Sequence, residues 1–311
     1  GEIHHDEWVN FAHNRNCALQ HAQGKTDYVL IFDADDRFEG EFVLPEELTC
    51  DRYYLRMANS VMGANVYFRT LMFRNDGSFY WRGVLHEFVE QRKKTVVEQK
   101  IFGDYYVISG RFGARSNNPQ KYFQDAQVLE KAFYSPEDED LKDRYAFYTA
   151  QSYRDADMPE KAIEWYAKRA NLGGWYEEVY YSLLQIALLK IELNASLNEI
   201  QNLLLATYEY RPQRAESLYH LARQLRYHNK ARLAYIYATV AANIPLSKDI
   251  LFVDHAVYEW KAKEELAMSA NSVGNYKLCH DLCVELLFNP AVPEPNRKLL
   301  LDNLKLAKEH L

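Results

Sequence analysis

The chain has 311 residues, with 44 acidic and 37 basic side chains, a net charge of −7 and an isoelectric point near 5.8. This length admits two domains, each with its own core. The acidic balance speaks against a nucleic-acid binder, which would carry a basic stripe or patch. No apolar run approaches the ~20 residues needed to cross a bilayer.

The opening residues, Gly1-Glu2-Ile3-His4-His5-Asp6, are polar and do not read as a secretory signal. Four cysteines, at 17, 50, 279 and 283, lack the spacing of a disulfide framework or a metal site. They read as structural thiols of a reducing compartment. The expected location is therefore cytoplasmic, free or peripheral to a membrane.

A helix is predicted over Asn14–Gln23, capped by Asn14 and closed by Gly24. The first candidate strand, Asp27–Asp33, carries the apolar run Tyr28-Val29-Leu30-Ile31-Phe32 straight into Asp33-Ala34-Asp35-Asp36. Such a junction places carboxylates at the end of a buried strand, where open α/β folds bind ligands. Carboxylate oxygens there can hold a hard divalent cation, often together with substrate phosphates. Further strands are predicted over Arg52–Met57, Tyr67–Phe73 and Lys100–Gly110, and a helix over Tyr122–Ala132. The stretch from Gly110 to Gln120 is either a lid or an ordinary connector.

After Pro136 the strand signals give way to apolar residues at three- and four-residue spacing. Turns are predicted at Asp157-Met158-Pro159, Gly173-Gly174, Asn194, Pro212, Asn229, Pro245, Gly274-Asn275 and Pro290–Pro295. The interval is close to the ~34 residues of a tetratricopeptide unit, in which small residues mark the crossing of two helices. Three copies are read. Ala146, Ala150 and Tyr153 pair with Ala162, Tyr166 and Ala170. Leu218, Leu221, Ala222 and Leu225 pair with Ala234, Ala238 and Ala241. Ala267 and Ala270 pair with Cys279, Cys283 and Leu286. Trp175–Tyr210 supplies a divergent pair and Leu299–Leu311 a capping helix. The predicted organisation is an α/β domain over residues 1–133 and an all-α, tetratricopeptide-like solenoid over 134–311, with helix predominating.

Three motifs resemble a known family. Trp8-Val9-Asn10-Phe11-Ala12-His13-Asn14-Arg15-Asn16, followed by Ala18-Leu19 and Asp33-Ala34-Asp35-Asp36, looks like the middle of a family 2 nucleotide-sugar glycosyltransferase. Trp81-Arg82-Gly83-Val84-Leu85-His86-Glu87 is similar to that family's G-x-x-H-E segment. Arg115-Ser116, Lys121-Tyr122 and Asp125 to Glu130 resemble its tail. The resemblance covers roughly residues 7–132 and implies a GT-A fold. The opening β-α units that hold base and ribose are not in this sequence, so the catalytic domain is expected to be incomplete at its N-terminus.

The implied activity is metal-dependent, inverting transfer of a hexose-like sugar. The donor is a UDP- or GDP-linked nucleotide-sugar, and the acceptor a saccharide, a lipid-linked saccharide or a protein. Oxygen ligation suits Mn2+ or Mg2+, with Asp35 the first ligand and Asp33 sharing the ion or reaching the donor ribose. Asp36 either joins them or serves as a cap or turn residue. Glu87 is the expected general base, and His86 a third metal ligand or an acceptor-side hydrogen bonder. Arg15, Arg115 and Lys121 are expected on the donor phosphates, with a structural salt bridge as the rival role of Arg15. His13 reads as a packed histidine. The repeats would hold the acceptor, a protein partner or a second copy. The alternative is a non-catalytic helical-repeat scaffold carrying a truncated or degenerate transferase domain.

Overall fold

The computed structural model describes residues 1–58, 66–110 and 118–311. Its contacts divide the chain into two compact units, Gly1–Ala156 and Asp157–Leu311. The first contains a six-stranded mixed sheet made by β1 (Tyr28–Leu30), β2 (Arg37–Gly40), β3 (Arg52–Ala58), β4 (Val66–Arg74), β7 (Glu98–Lys100) and β8 (Tyr105–Ile108). A separate antiparallel hairpin joins β5 (Phe79–Arg82) to β6 (Phe88–Gln91).

The sheet runs β1-β4-β3-β8-β2, with β7 also on β3. One edge of β3 is shared in tandem: Arg52–Tyr54 pair with β7 and Met57–Ala58 with β8, both parallel. That explains why the predicted strand Lys100–Gly110 is split. The chain must step out between the two ladders, and it does so around Phe102-Gly103-Asp104. On β3, Tyr53, Leu55 and Met57 are buried in alternation, the period of a strand with one face in a core. They pack with Leu71, Tyr105 and Val107. The first predicted strand proves short, β1 ending at Leu30. Strands β2, β5 and β6 were not foreseen; each is only four residues long and mixes apolar with charged or amide residues.

Helix α1 spans Phe11–Ala22, so it starts three residues before the predicted Asn14. The cap is Asn10, whose side chain accepts from the His13 N–H at 2.8 Å. Asn14 instead clasps the preceding segment, accepting from the Val9 N–H and donating to the Glu7 carbonyl. Leu19 and Ala22 pack with Val29, Phe73 and Phe79, which lays α1 against the strands.

Two further helices, α2 (Lys121–Phe133) and α3 (Lys142–Asp155), belong to this same unit rather than to the helical one. Leu129, Ala132 and Tyr145 bury together with Leu85 from the β5–β6 loop. The unit boundary therefore falls at Ala156/Asp157, beyond the predicted boundary at 133/134, and the first predicted repeat pair straddles it.

In the second unit, helices α4 (Pro159–Leu172), α5 (Tyr176–Glu192), α6 (Leu197–Tyr210), α7 (Glu216–Tyr227), α8 (Ala231–Asn243), α9 (Ala262–Ser272), α10 (Tyr276–Leu287) and α11 (Glu294–Lys308) pack each on the next as hairpins. A π-helical stretch, Val257–Lys261, precedes α9. Leu218, Leu221, Ala222, Leu225, Ala234, Ala238 and Ala241 are all buried, as are Ala267, Ala270, Cys279, Cys283 and Leu286. Close crossing of the helices is allowed by the small side chains among them, the alanines and cysteines, while the leucines fill the space between. The predicted turns fall between helices or run into the first residues of the next, as Pro159 does in α4 and Pro295 in α11, and Asp157, Gly173, Gly174, Asn194, Asn229 and Gly274 adopt the positive φ that ends a helix. All four thiols are free. Burial raises the pKa of Cys283, with the Cys279 thiol beside it adding to the effect, to about 12.

Candidate active site

Arg15 on α1 joins the two acidic motifs. Its Nε donates to Glu87 Oε1 at 2.8 Å and its Nη2 to Asp33 Oδ1 at 2.7 Å. The guanidinium lies over the Trp81 ring, 4.8 Å from the centroid. Burial opposes its charge, but the Asp33 and Glu87 carboxylates outweigh that and hold its pKa above the ordinary value. Arg15 thus takes the salt-bridge role that rivalled a phosphate contact. Its neighbour Asn16 reproduces a strand pairing with one side chain, donating to the Trp81 carbonyl at 2.9 Å and accepting from the Trp81 N–H at 2.8 Å. That amide locks α1 to β5 and so sets where Arg15 points.

Glu87 and His86 lie in the loop between β5 and β6. On a regular strand, adjacent side chains would point to opposite faces. Here the backbone turns, with Gly83 at φ 94° and His86 at φ 53°. Both residues line one cavity of about 520 Å3. The His86 ring stacks on Tyr148 of α3, centroids 4.0 Å apart, and its carbonyl accepts from Arg144 Nη2 at 2.6 Å. The loop is also braced from α3: the Val84 N–H donates to Tyr145 Oη at 3.3 Å, and that hydroxyl donates to Asp138 at 2.7 Å. Burial, with the Asp138 carboxylate as the next cause, pushes the Tyr145 pKa up.

The acidic cluster forms a turn beyond β1. The Asp36 N–H donates to the Asp33 carbonyl at 3.0 Å, and Asp36 Oδ2 accepts from the Asp33 N–H at 3.2 Å. Asp36 is therefore a turn residue, with a buried Oδ1 that has no hydrogen-bond partner. Asp35 lies against the chain leaving β8. A Cβ on Gly110 would stand 2.4 Å from the Asp35 carbonyl oxygen and 2.7 Å from its Cβ, so only glycine allows this approach. Neither Asn16 nor Gly110 had a predicted role at the site. The sequence signals were the place of Asn16 in the motif beside Arg15, and of Gly110 at the end of a predicted strand and the start of the lid-or-connector stretch.

Lys121 opens α2 and lines the cavity with His86 and Glu87, whereas Asp33, Asp35 and Arg15 do not. Arg115 lies outside the described residues. Among the described residues no three His, Cys, Asp or Glu side chains converge on a metal position. Asp33, Asp35 and His86 are thus not a three-ligand set: Asp33 is engaged by Arg15 and His86 is stacked on Tyr148. The hard oxygens of the cluster, Asp36 Oδ1 foremost, suit Mg2+ or Mn2+ only with ligand oxygens completing the shell.

No protein-family model and no curated protein matches this sequence. Among solved structures it is similar to MamA, with a TM-score of 0.40 and 13% identity over 65% of this chain and 96% of the other. Two structures of a Podosopora anserina protein described as a kinesin light chain with nearly identical TPR-like repeats also match. One gives a TM-score of 0.40 and 15% identity over 54% of this chain and 85% of that one. The other gives 0.38 and 13% over 62% and 88%. No family membership follows from scores this low, and the resemblance to glycosyltransferases stays with the motif residues. No helix of the described residues is long and apolar enough to cross a membrane.

Proposed function

We propose that the Gly1–Ala156 unit takes part in glycosyl transfer from a nucleotide-sugar to a saccharide, lipid-linked or protein acceptor. The observation that supports this reading is the Asp33–Arg15–Glu87 bridge. It draws together two acidic motifs distant in sequence and presents one of their carboxylates, Glu87, to a cavity large enough for a sugar.

In this reading Glu87 takes the proton of the acceptor hydroxyl as the acceptor oxygen bonds to the anomeric carbon. The bond from that carbon to the phosphate oxygen breaks on the opposite side, and the electron pair leaves with the diphosphate. A bound Mn2+ or Mg2+ would supply Lewis-acid stabilisation of that leaving group. The chain's own contribution is orientation: Arg15 holds Glu87, and Asp33, Asp35 and Asp36 offer oxygen donors. The helical hairpins of the second unit would then hold the acceptor or a partner, since stacked repeats offer extended surfaces.

The test is thermal unfolding with sugar nucleotides, with and without Mn2+, followed by a transfer assay. Metal-dependent stabilisation by one donor is expected, lost in Asp35→Ala. Glu87→Gln should keep donor binding and lose transfer; normal turnover by that variant would remove Glu87 from the mechanism. A second reading, a helical-repeat scaffold without catalysis, draws on the same bridge, because Arg15 satisfies Asp33 and Glu87 with no metal. Absence of stabilisation by every donor would favour it.

A further inference from the structure

The cavity beside Glu87 is also lined by three cations, Arg69, Lys121 and Arg144, and by Gln151. Among the described residues none of the three cations has a carboxylate within ion-pair distance. Arg144 spends Nη2 on the His86 carbonyl and lies over the Phe88 and Tyr148 rings, yet its Nε is buried with no hydrogen-bond acceptor. The amide nitrogen of Gln151, two helical turns further along α3, is likewise buried without an acceptor. Of the acids facing the same space, Glu87 is paired with Arg15, Asp155 with Arg154, and Asp125 is buried.

Buried donors without acceptors are costly, and the Arg144 Nε is one of them. Two such donors on one helix, together with two further cations around the same space, form a site lacking only an acceptor-rich ligand. We propose that this cavity binds an oxyanion, a phosphate or a carboxylate, through Arg144 and Gln151, with Lys121 and Arg69 supplying charge. Guanidinium N–H groups match the spacing of such oxygens. This deepens the transfer reading and rests on it only for the ligand's source: the diphosphate of a donor, or the acid group of an acidic saccharide acceptor held next to Glu87.

The test is isothermal titration calorimetry on the whole chain with pyrophosphate, with glucuronate and with neutral glucose, EDTA being present so that no metal bridges to the acidic turn. At least one oxyanion is expected to bind and glucose not. Gln151→Glu, which puts a negative charge at the orphan amide, should weaken binding about tenfold or more. Lys121→Gln, a change at the first residue of α2, should weaken it about threefold at low salt. Pyrophosphate binding alone assigns the site to the donor, and glucuronate binding to an acidic acceptor. Failure of both oxyanions to bind, or unchanged affinity in both variants, would overturn the proposal. Oxyanion binding without any sugar transfer would sink the transferase reading alone, and transfer indifferent to Gln151→Glu this one alone.

Discussion

Gly110 illustrates how much a single missing Cβ can decide. With Asp35 oxygen and carbon atoms at 2.4 to 3.0 Å from where a Cβ would sit, the strand end can meet the acidic turn only as glycine. Gly110→Ala must push the two segments apart, and overpacking of this kind costs about 1–3 kcal/mol. Urea unfolding should register that loss, together with weakened Mn2+-dependent stabilisation by a donor; an unchanged midpoint would mean that the contact relaxes freely. Arg15 is the other decisive residue. Its side chain is only 20% exposed and its partner Glu87 10%, so the pair is held more firmly than surface ion pairs are.

At the scale of elements, the segment between α8 and the π-helical stretch shows how a long connector is held without regular structure. Glu177 accepts from the Ile250 and Leu251 N–H groups at 2.8 and 2.7 Å. Arg214, fully buried, forks onto Glu216, which also accepts from Tyr258 at 2.9 Å. Removing one partner of such a pair leaves an uncompensated charge. Glu216→Gln is therefore expected to cost about 3 kcal/mol, the lower end of the usual range because Asp249 still lies 3.4 Å from Arg214; denaturant titration measures it.

The same helix, α7, carries His220, whose pKa falls to about 4, chiefly through burial and then through the charge of Arg223; Asp254 and Glu216 pull the other way and Lys261 adds to the lowering. The fold favours the neutral ring. Its contribution is complete above the unfolded pKa of about 6.5 and is lost as pH falls from there to about 4. The loss should stay within about 3 kcal/mol, less where water reaches the ring. Comparing urea midpoints at pH 7 and pH 4.5 for wild type and His220→Asn checks this: the variant should show the smaller difference.

The whole molecule consists of two units, each with its own buried clusters. In the second, Leu218, Leu221 and Leu225 pack with Tyr180, Leu204 and Ala234, and Cys279, Cys283 and Leu286 pack with Leu300. A segment with that much internal core is expected to fold alone. Residues 157–311, expressed separately, should give a helical far-ultraviolet spectrum and a cooperative melt; a broad, non-cooperative melt would show that the hairpins depend on the first unit.

Much of this architecture was legible in the sequence because the information is local. Each turn of the helical unit carries a residue that ends helices by its own backbone chemistry, such as Gly173, Asn194, Asn229 or Gly274, and the apolar spacing between them needs no distant partner. The apolar run leading into the acidic turn was legible for the same reason, although the strand itself stops at Leu30, short of Asp33. What required the tertiary structure is long-range: Arg15 meeting residues 18 and 72 positions away, the left-handed turn that brings His86 and Glu87 to one cavity, and the burial that assigns α2 and α3 to the sheet-bearing unit. No local pattern encodes these, because each is set by which surfaces exclude water together. The motif residues were therefore legible one by one, while the choice of Arg15 as their clasp, and of Arg144 and Gln151 as the cavity's unsatisfied donors, was made by packing.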